Sequence, residues 1–182
     1  MRLKLGWIAF ATCLLTCFPC TGSLLAQREK REPLTAAEID EIREAGIAPE
    51  LRINLYTKFL DEHAAALKAL TARRKSAGRA DAFDEQIQNF TALMDEAGSN
   101  LDLYSERHAD IRKSLKKLTE TMPHWLEILK ALPAEPAYEL SVKEALESFQ
   151  DLSDQAAQML KEQTEYFKLH PDEKGQERAE PK

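Results

Sequence analysis

From Phe83 to Leu132 the chain repeats large side chains in alternating steps of four and three. The positions are Phe83, Ile87, Phe90, Met94, Ala97, Leu101, Tyr104, His108, Ile111, Leu115, Leu118, Met122, Trp125, Leu129 and Leu132. At 3.6 residues per turn, this spacing keeps one stripe of a helix apolar along its length. A stripe that long must be covered by other helices, and a sustained four-three alternation is the pattern of supercoiled helix packing. Two interruptions, "GSN" at 98–100 and Pro123, do not shift its phase. The spacing therefore predicts one long helix over 83–132, loosened at Gly98 and kinked near Pro123. The rival is a pair of shorter helices folded back at Gly98.

The flanking sequence supplies the partners. Thr35-Ala-Ala-Glu38 is a capping box, which predicts a short helix from Ala36 to Ala45 that stops at Gly46. Pro49 suits the first turn of a second helix, expected to run to about Ser76. Ile53, Tyr56, Leu60, His63, Leu67 and Leu70 form its stripe, and Leu51, Leu55, Phe59 and Ala66 widen it enough for two packing partners. Gly78 marks the next stop and Asp81 the next N-cap. "LPAEPAYELS" reads as a loop, after which Ser141-Val-Lys-Glu144 offers a second capping box for a last helix. Helical spacing throughout and only 6 glycines disfavour a β-sandwich or barrel. The predicted class is all-α: an antiparallel helical bundle with coiled-coil-like packing, built from one short and about three long helices.

The first 26 residues are of another kind. Arg2 and Lys4 precede an apolar run from Leu5 to Pro19, then small and polar residues ending in "SLLAQ". This is the order of a secretory signal peptide, with cleavage expected after Ala26. The run is shorter than the roughly 20 residues of a membrane span. The predicted organisation is a signal peptide over 1–26, a flexible segment over 27–34, the bundle over 35–169 and a disordered polar tail over 170–182. All 3 cysteines, Cys13, Cys17 and Cys20, fall in the leader, so the mature chain would carry no disulfide, thiolate nucleophile or zinc–cysteine site. Cleavage also removes two cations, so the net charge of −6 becomes about −8. That argues against nucleic acid as a partner. Membrane contact is expected only if the leader is retained or a lipid is attached at Cys17.

Candidate chemistry is sparse. With a turn pivoting near Gly78, His63 and Met94 come level on facing helices, the arrangement by which bundles hold haem axially. His108, within the long stripe, is expected to be a core residue bonded among tyrosines. Neither His63 nor His108 has a Glu three residues before it, as carboxylate-bridged metal bundles require. Arg73, Arg74, Lys75 and Arg79 form a basic cluster at a helix C-terminus, where they complement the macrodipole or meet an anionic surface or partner. Arg112, Lys113, Lys116 and Lys117 form a second cluster. Asn89-Phe-Thr91 fits a glycosylation acceptor in mid-helix. Residues 166–175, "YFKLHPDEKG", resemble over about ten residues the His-Pro-Asp junction of J-domain cochaperones, with His170, Pro171 and Asp172 matching the tripeptide that stimulates an Hsp70 partner. That family continues into a further helix, whereas polar residues follow here, so a proline-terminated helix and tail is the adopted reading.

No phosphate loop, nucleophile elbow or His-Glu-x-x-His is found. The sequence thus predicts no enzyme and no cofactor. It predicts an exported helical interaction protein with a protein partner or a second copy of itself, an antiparallel dimer included. The alternative is a bundle that binds haem or another small ligand. Intact mass of the exported protein should correspond to a chain beginning at Gln27, and a thiol reagent should find nothing to label. A retained thiol would place cleavage elsewhere.

Overall fold

A computed structural model describes residues 32–74, 76–106 and 109–173. The leader with Cys17, residues 27–31, Lys75, His108 and the tail beyond residue 173 lie outside them, so the expectations placed there are not addressed. Five α-helices make up the described chain: α1 (Ala36–Glu44), α2 (Pro49–Ala72), α3 (Arg79–Glu106), α4 (Arg112–Lys130) and α5 (Glu139–Leu169). A single 3-10 turn, Pro171–Glu173, follows them.

Local chemistry accounts for several boundaries. Thr35 and Glu38 form the expected reciprocal cap on α1, and Pro49 opens α2. Gly46 and Gly78 adopt φ of +61° and +78°, a region that L side chains rarely enter, and so turn the chain after α1 and after α2. The two remaining cap expectations are corrected. Asp81 lies in the first turn of α3, which already begins at Arg79. Ser141 is not an N-cap because α5 begins at Glu139; its hydroxyl donates instead to Asp84 Oδ1 at 2.5 Å.

The long stripe is not one helix. The chain stays helical through Gly98 and across Pro123, α3 ends at Glu106, and residues 109–111 ahead of α4 are not helical. Side-chain bonds give the resulting register. Tyr56 meets Asn100, His63 meets Gln86 and Arg79 meets Leu70, so α2 and α3 are antiparallel. Ser114 donates to the Glu50 carbonyl and Trp125 to Asp61, both 64 positions apart, so α2 and α4 run parallel. Ser141, Ser148 and Gln155 bond Asp84, Asp95 and Asp102, so α3 and α5 also run parallel. Around the bundle the order is α2, α3, α5, α4, with α1 packed on α2 alone. The chain therefore does fold back after α3, but onto the diagonal position and not at Gly98. This makes four long helices where the sequence predicts about three.

The core fills the space between these four helices. Phe90, Trp125, Phe59, Leu60, Leu93, Met94 and Leu115 are fully buried, and Phe90 stands edge-on to Trp125 at 6.1 Å across the α3–α4 diagonal. The break itself is held by Gln163 of α5, which is buried. Its Nε2 donates to the Ala109 carbonyl at 2.8 Å, and its Oε1 accepts from the Ile111 N–H at 3.1 Å. Asp110 beside it takes both Arg112 Nε and Nη2 at 2.8 Å.

Gln163→Leu should leave a buried carbonyl and a buried N–H without partners, costing about 2–4 kcal/mol. Urea unfolding followed by Trp125 fluorescence checks it. The midpoint should fall while the slope stays near its original value. An unchanged midpoint would mean that the crossover is held by other contacts.

Candidate functional site

Tyr56 lies at the centre of a polar group between α2 and α3. Arg52 precedes it by one turn on α2, and Glu96 and Asn100 are one turn apart on α3, so the four converge. The Tyr56 hydroxyl donates to Glu96 Oε1 at 2.8 Å and accepts from Asn100 Nδ2 at 3.1 Å. Asn100 also donates to the Glu96 backbone carbonyl at 2.9 Å. Burial, reinforced by the Glu96 carboxylate, pushes the phenol well above its ordinary range, although the Arg52 guanidinium pulls the other way. Tyr56 therefore remains a neutral donor at physiological pH.

Because α1 packs on α2 alone, a cleft of about 380 Å3 remains where α1 arches beside the α2–α3 pair. Leu34, Ile39, Ile42 and Arg43 line one side, and Arg52, Tyr56 and Glu96 the other. Arg43 is held by Asp40 within α1. Arg52 Nε is buried and has no hydrogen-bond partner. Among the described residues, Arg52 and Glu96 form no ion pair with each other. Sequence reasoning overlooked Arg52, Glu96 and Asn100. Their signal was faint: charged or amide residues four apart, each one step off an apolar stripe.

The residues singled out from the sequence are dispersed. His63 is half-buried, with Nδ1 2.9 Å from Gln86 Nε2. Burial pushes its imidazole below the ordinary range, opposed by the charges of Glu38 and Glu62. Met94 is fully buried on α3. The hydrogen bond of the His63 ring thus goes to Gln86 and not to Met94. Arg73 and Arg74 are exposed after α2, and Arg73 lines a shallow groove with Glu85, Gln86 and Asn89. Arg79 turns inward, donating to the Leu70 and Thr71 carbonyls at 3.3 and 3.2 Å, and lies 5.1 Å from the Phe83 ring. It thus satisfies the last carbonyls of α2, a helix-capping role.

Two motifs are absorbed into local structure. Thr91 of the Asn-Phe-Thr triplet is buried and donates to the Ile87 carbonyl. His170 caps α5, stacked on Tyr166 at 4.3 Å, and Tyr166 donates to Glu173 at 2.7 Å, which folds the His-Pro-Asp turn back on the helix.

One end of the bundle carries exposed apolar side chains. The register puts the α1–α2 turn, the end of α3, the start of α4 and the end of α5 together there. Ile47, Leu51, Leu103 and Leu169, which are 75%, 56%, 49% and 77% exposed, belong to that end. Leu140, 67% exposed, lies at the other. Among the described residues no helix is long and apolar enough to cross a membrane, and no group of three or more His, Cys, Asp or Glu is placed to hold a metal ion. No protein-family model matches the chain, nor does any curated protein or solved structure show significant similarity to it.

His63 gives a pH dependence with a definite sign. Above about pH 7 the ring is neutral in both the folded and the unfolded state. As pH falls through 6.5, the unfolded chain takes up the proton first, so stability declines. His63→Gln should flatten that decline between pH 7.5 and 5.5, as measured by urea midpoints across the range. Parallel curves for the two proteins would show that the imidazole does not contribute it.

Proposed function

We propose that this protein is exported and acts by contact, binding another protein chain through the apolar end of its bundle. Export is supported by the leader pattern: Arg2 and Lys4, the apolar run to Pro19, and the Ala26 junction. The binding reading rests on one observation, the gathering of Ile47, Leu51, Leu103 and Leu169 at a single end. Exposed leucines scattered singly need no explanation, but several sharing one end are the pattern of a covered surface. A second copy of the chain is the first partner to consider, because two such ends can cover one another about a two-fold axis. Membrane contact enters this reading only through a retained leader or a lipid on Cys17, and no catalytic role is assigned.

A second reading, a small-ligand binder, is favoured by the cleft beneath α1. In its haem version His63 and Met94 would be the ligands, with His63 Nδ1 already bonded to Gln86.

Light scattering of the protein recovered from the exported fraction tests the first reading, alongside crosslinking in the producing cell. The expected result is a dimer or a discrete crosslinked complex that Leu51→Ser combined with Leu169→Ser weakens about tenfold or more. A monomer whose crosslinks are indifferent to both substitutions would overturn it.

A further inference from the structure

We propose that the cleft between α1, α2 and α3 binds a small zwitterion, a free α-amino acid with an apolar side chain. Its two halves supply independent reasons. One half is charged but unpaired: Arg52 and Glu96 face the same space, carry opposite charge and do not bond each other. The Tyr56 hydroxyl stands between them, bonded to Glu96 at 2.8 Å and lying beside the Arg52 guanidinium. Opposite charges that share a cleft normally pair. Here the phenol bridges them, and only one Glu96 oxygen, Oε1, is used in a side-chain bond.

A guanidinium fork fits a carboxylate, and a carboxylate oxygen fits an ammonium. An α-amino acid presents both groups on adjacent bonds. A metal ion does not answer this set, because two arginines line the cleft and Glu96 is the sole carboxylate among its lining residues. The other half is apolar. Leu34, Ile39 and Ile42 of the α1 side offer a hydrocarbon wall facing the polar group. A volume of about 380 Å3 lies at the small end of ligand pockets, which suits an amino acid rather than a cofactor. Binding would also tie α1 to α3, a contact it otherwise lacks, because its helical partner is α2.

The test is isothermal titration calorimetry of the purified protein with L-leucine, L-methionine and L-phenylalanine. L-leucine is then compared with 4-methylpentanoate, which lacks the ammonium, and with isoamylamine, which lacks the carboxylate. At least one amino acid should bind, and each truncated analogue should bind about tenfold or more weakly, as expected for loss of a charge-assisted hydrogen bond. Glu96→Gln keeps an acceptor for Tyr56 while removing the charge, so it should weaken the amino acid and spare the acid analogue. Arg52→Gln should abolish binding of both. If none of the three amino acids gives heat at millimolar concentration, the proposal fails. It fails equally if 4-methylpentanoate matches L-leucine, because the cleft would then be a simple anion site. Should Arg52→Gln not fold, the Glu96→Gln comparison decides alone. None of these outcomes bears on binding through the apolar end, which is read separately by oligomeric state.

Discussion

The architecture depends on two hydrogen bonds made by one amide. Between α3 and α4 the chain must leave a helix, cross the bundle end to the diagonal position and start another helix, all while Ala109 and Ile111 stay buried. Buried backbone without helix partners is costly, and water is excluded there. Gln163 presents an N–H donor and a carbonyl acceptor in one side chain, and so meets both needs from α5. The same contact fixes the level of α5 against the start of α4. The two parallel pairs and the ring order follow from that crossing, since a short turn to an adjacent position would have produced an up-and-down bundle with antiparallel neighbours throughout.

Parallel packing of α3 and α5 raises a second problem, because no short turn sets their register. Ser141, Ser148 and Gln155 recur every seven residues on α5 and reach Asp84, Asp95 and Asp102 on α3. Polar pairs at the flank of an apolar contact penalise a slip by one turn, which would leave each of them unpaired. Gly98 belongs to this set. A Cβ there would come within 3.0 Å of Gln155 Oε1, and Gln155 Nε2 donates to the Gly98 carbonyl at 3.1 Å. The glycine that reads as a helix break therefore lies within an unbroken helix.

What was legible in the sequence divides by the range of the interaction. Thr35 with Glu38, Gly46, Pro49 and Gly78 act on neighbours within a turn, and the structure has them in the roles that the local pattern implies. Ser141 has the same local pattern as Thr35, but a carboxylate from α3 captures its hydroxyl, which no local pattern reveals. The non-helical stretch at 109–111 is hidden in the sequence because Ile111 and Leu115 return to the core in the phase of Leu101 and Tyr104. Periodicity reports which face is buried, not whether the backbone between is continuous. Asp110, an acid just ahead of a helix start, was the available hint.

The cleft beneath α1 departs from the polar satisfaction found at the crossover and along α3–α5. Gln163, Asn100 and Thr57 are buried polar residues, and each has a hydrogen-bond partner. Arg52 Nε is buried without one, as are Arg79 Nε and Asn54 Oδ1 elsewhere, but Arg52 alone of these shares a cleft with a carboxylate that it does not bond. An unmet donor of that kind costs about 1–3 kcal/mol, a sizeable part of a domain's stability. Sequences tend to break their own local rules where a ligand completes the arrangement. What distinguishes this cleft is not the unmet donor itself but the carboxylate that shares its space, a pair of charges that a bound zwitterion would complete.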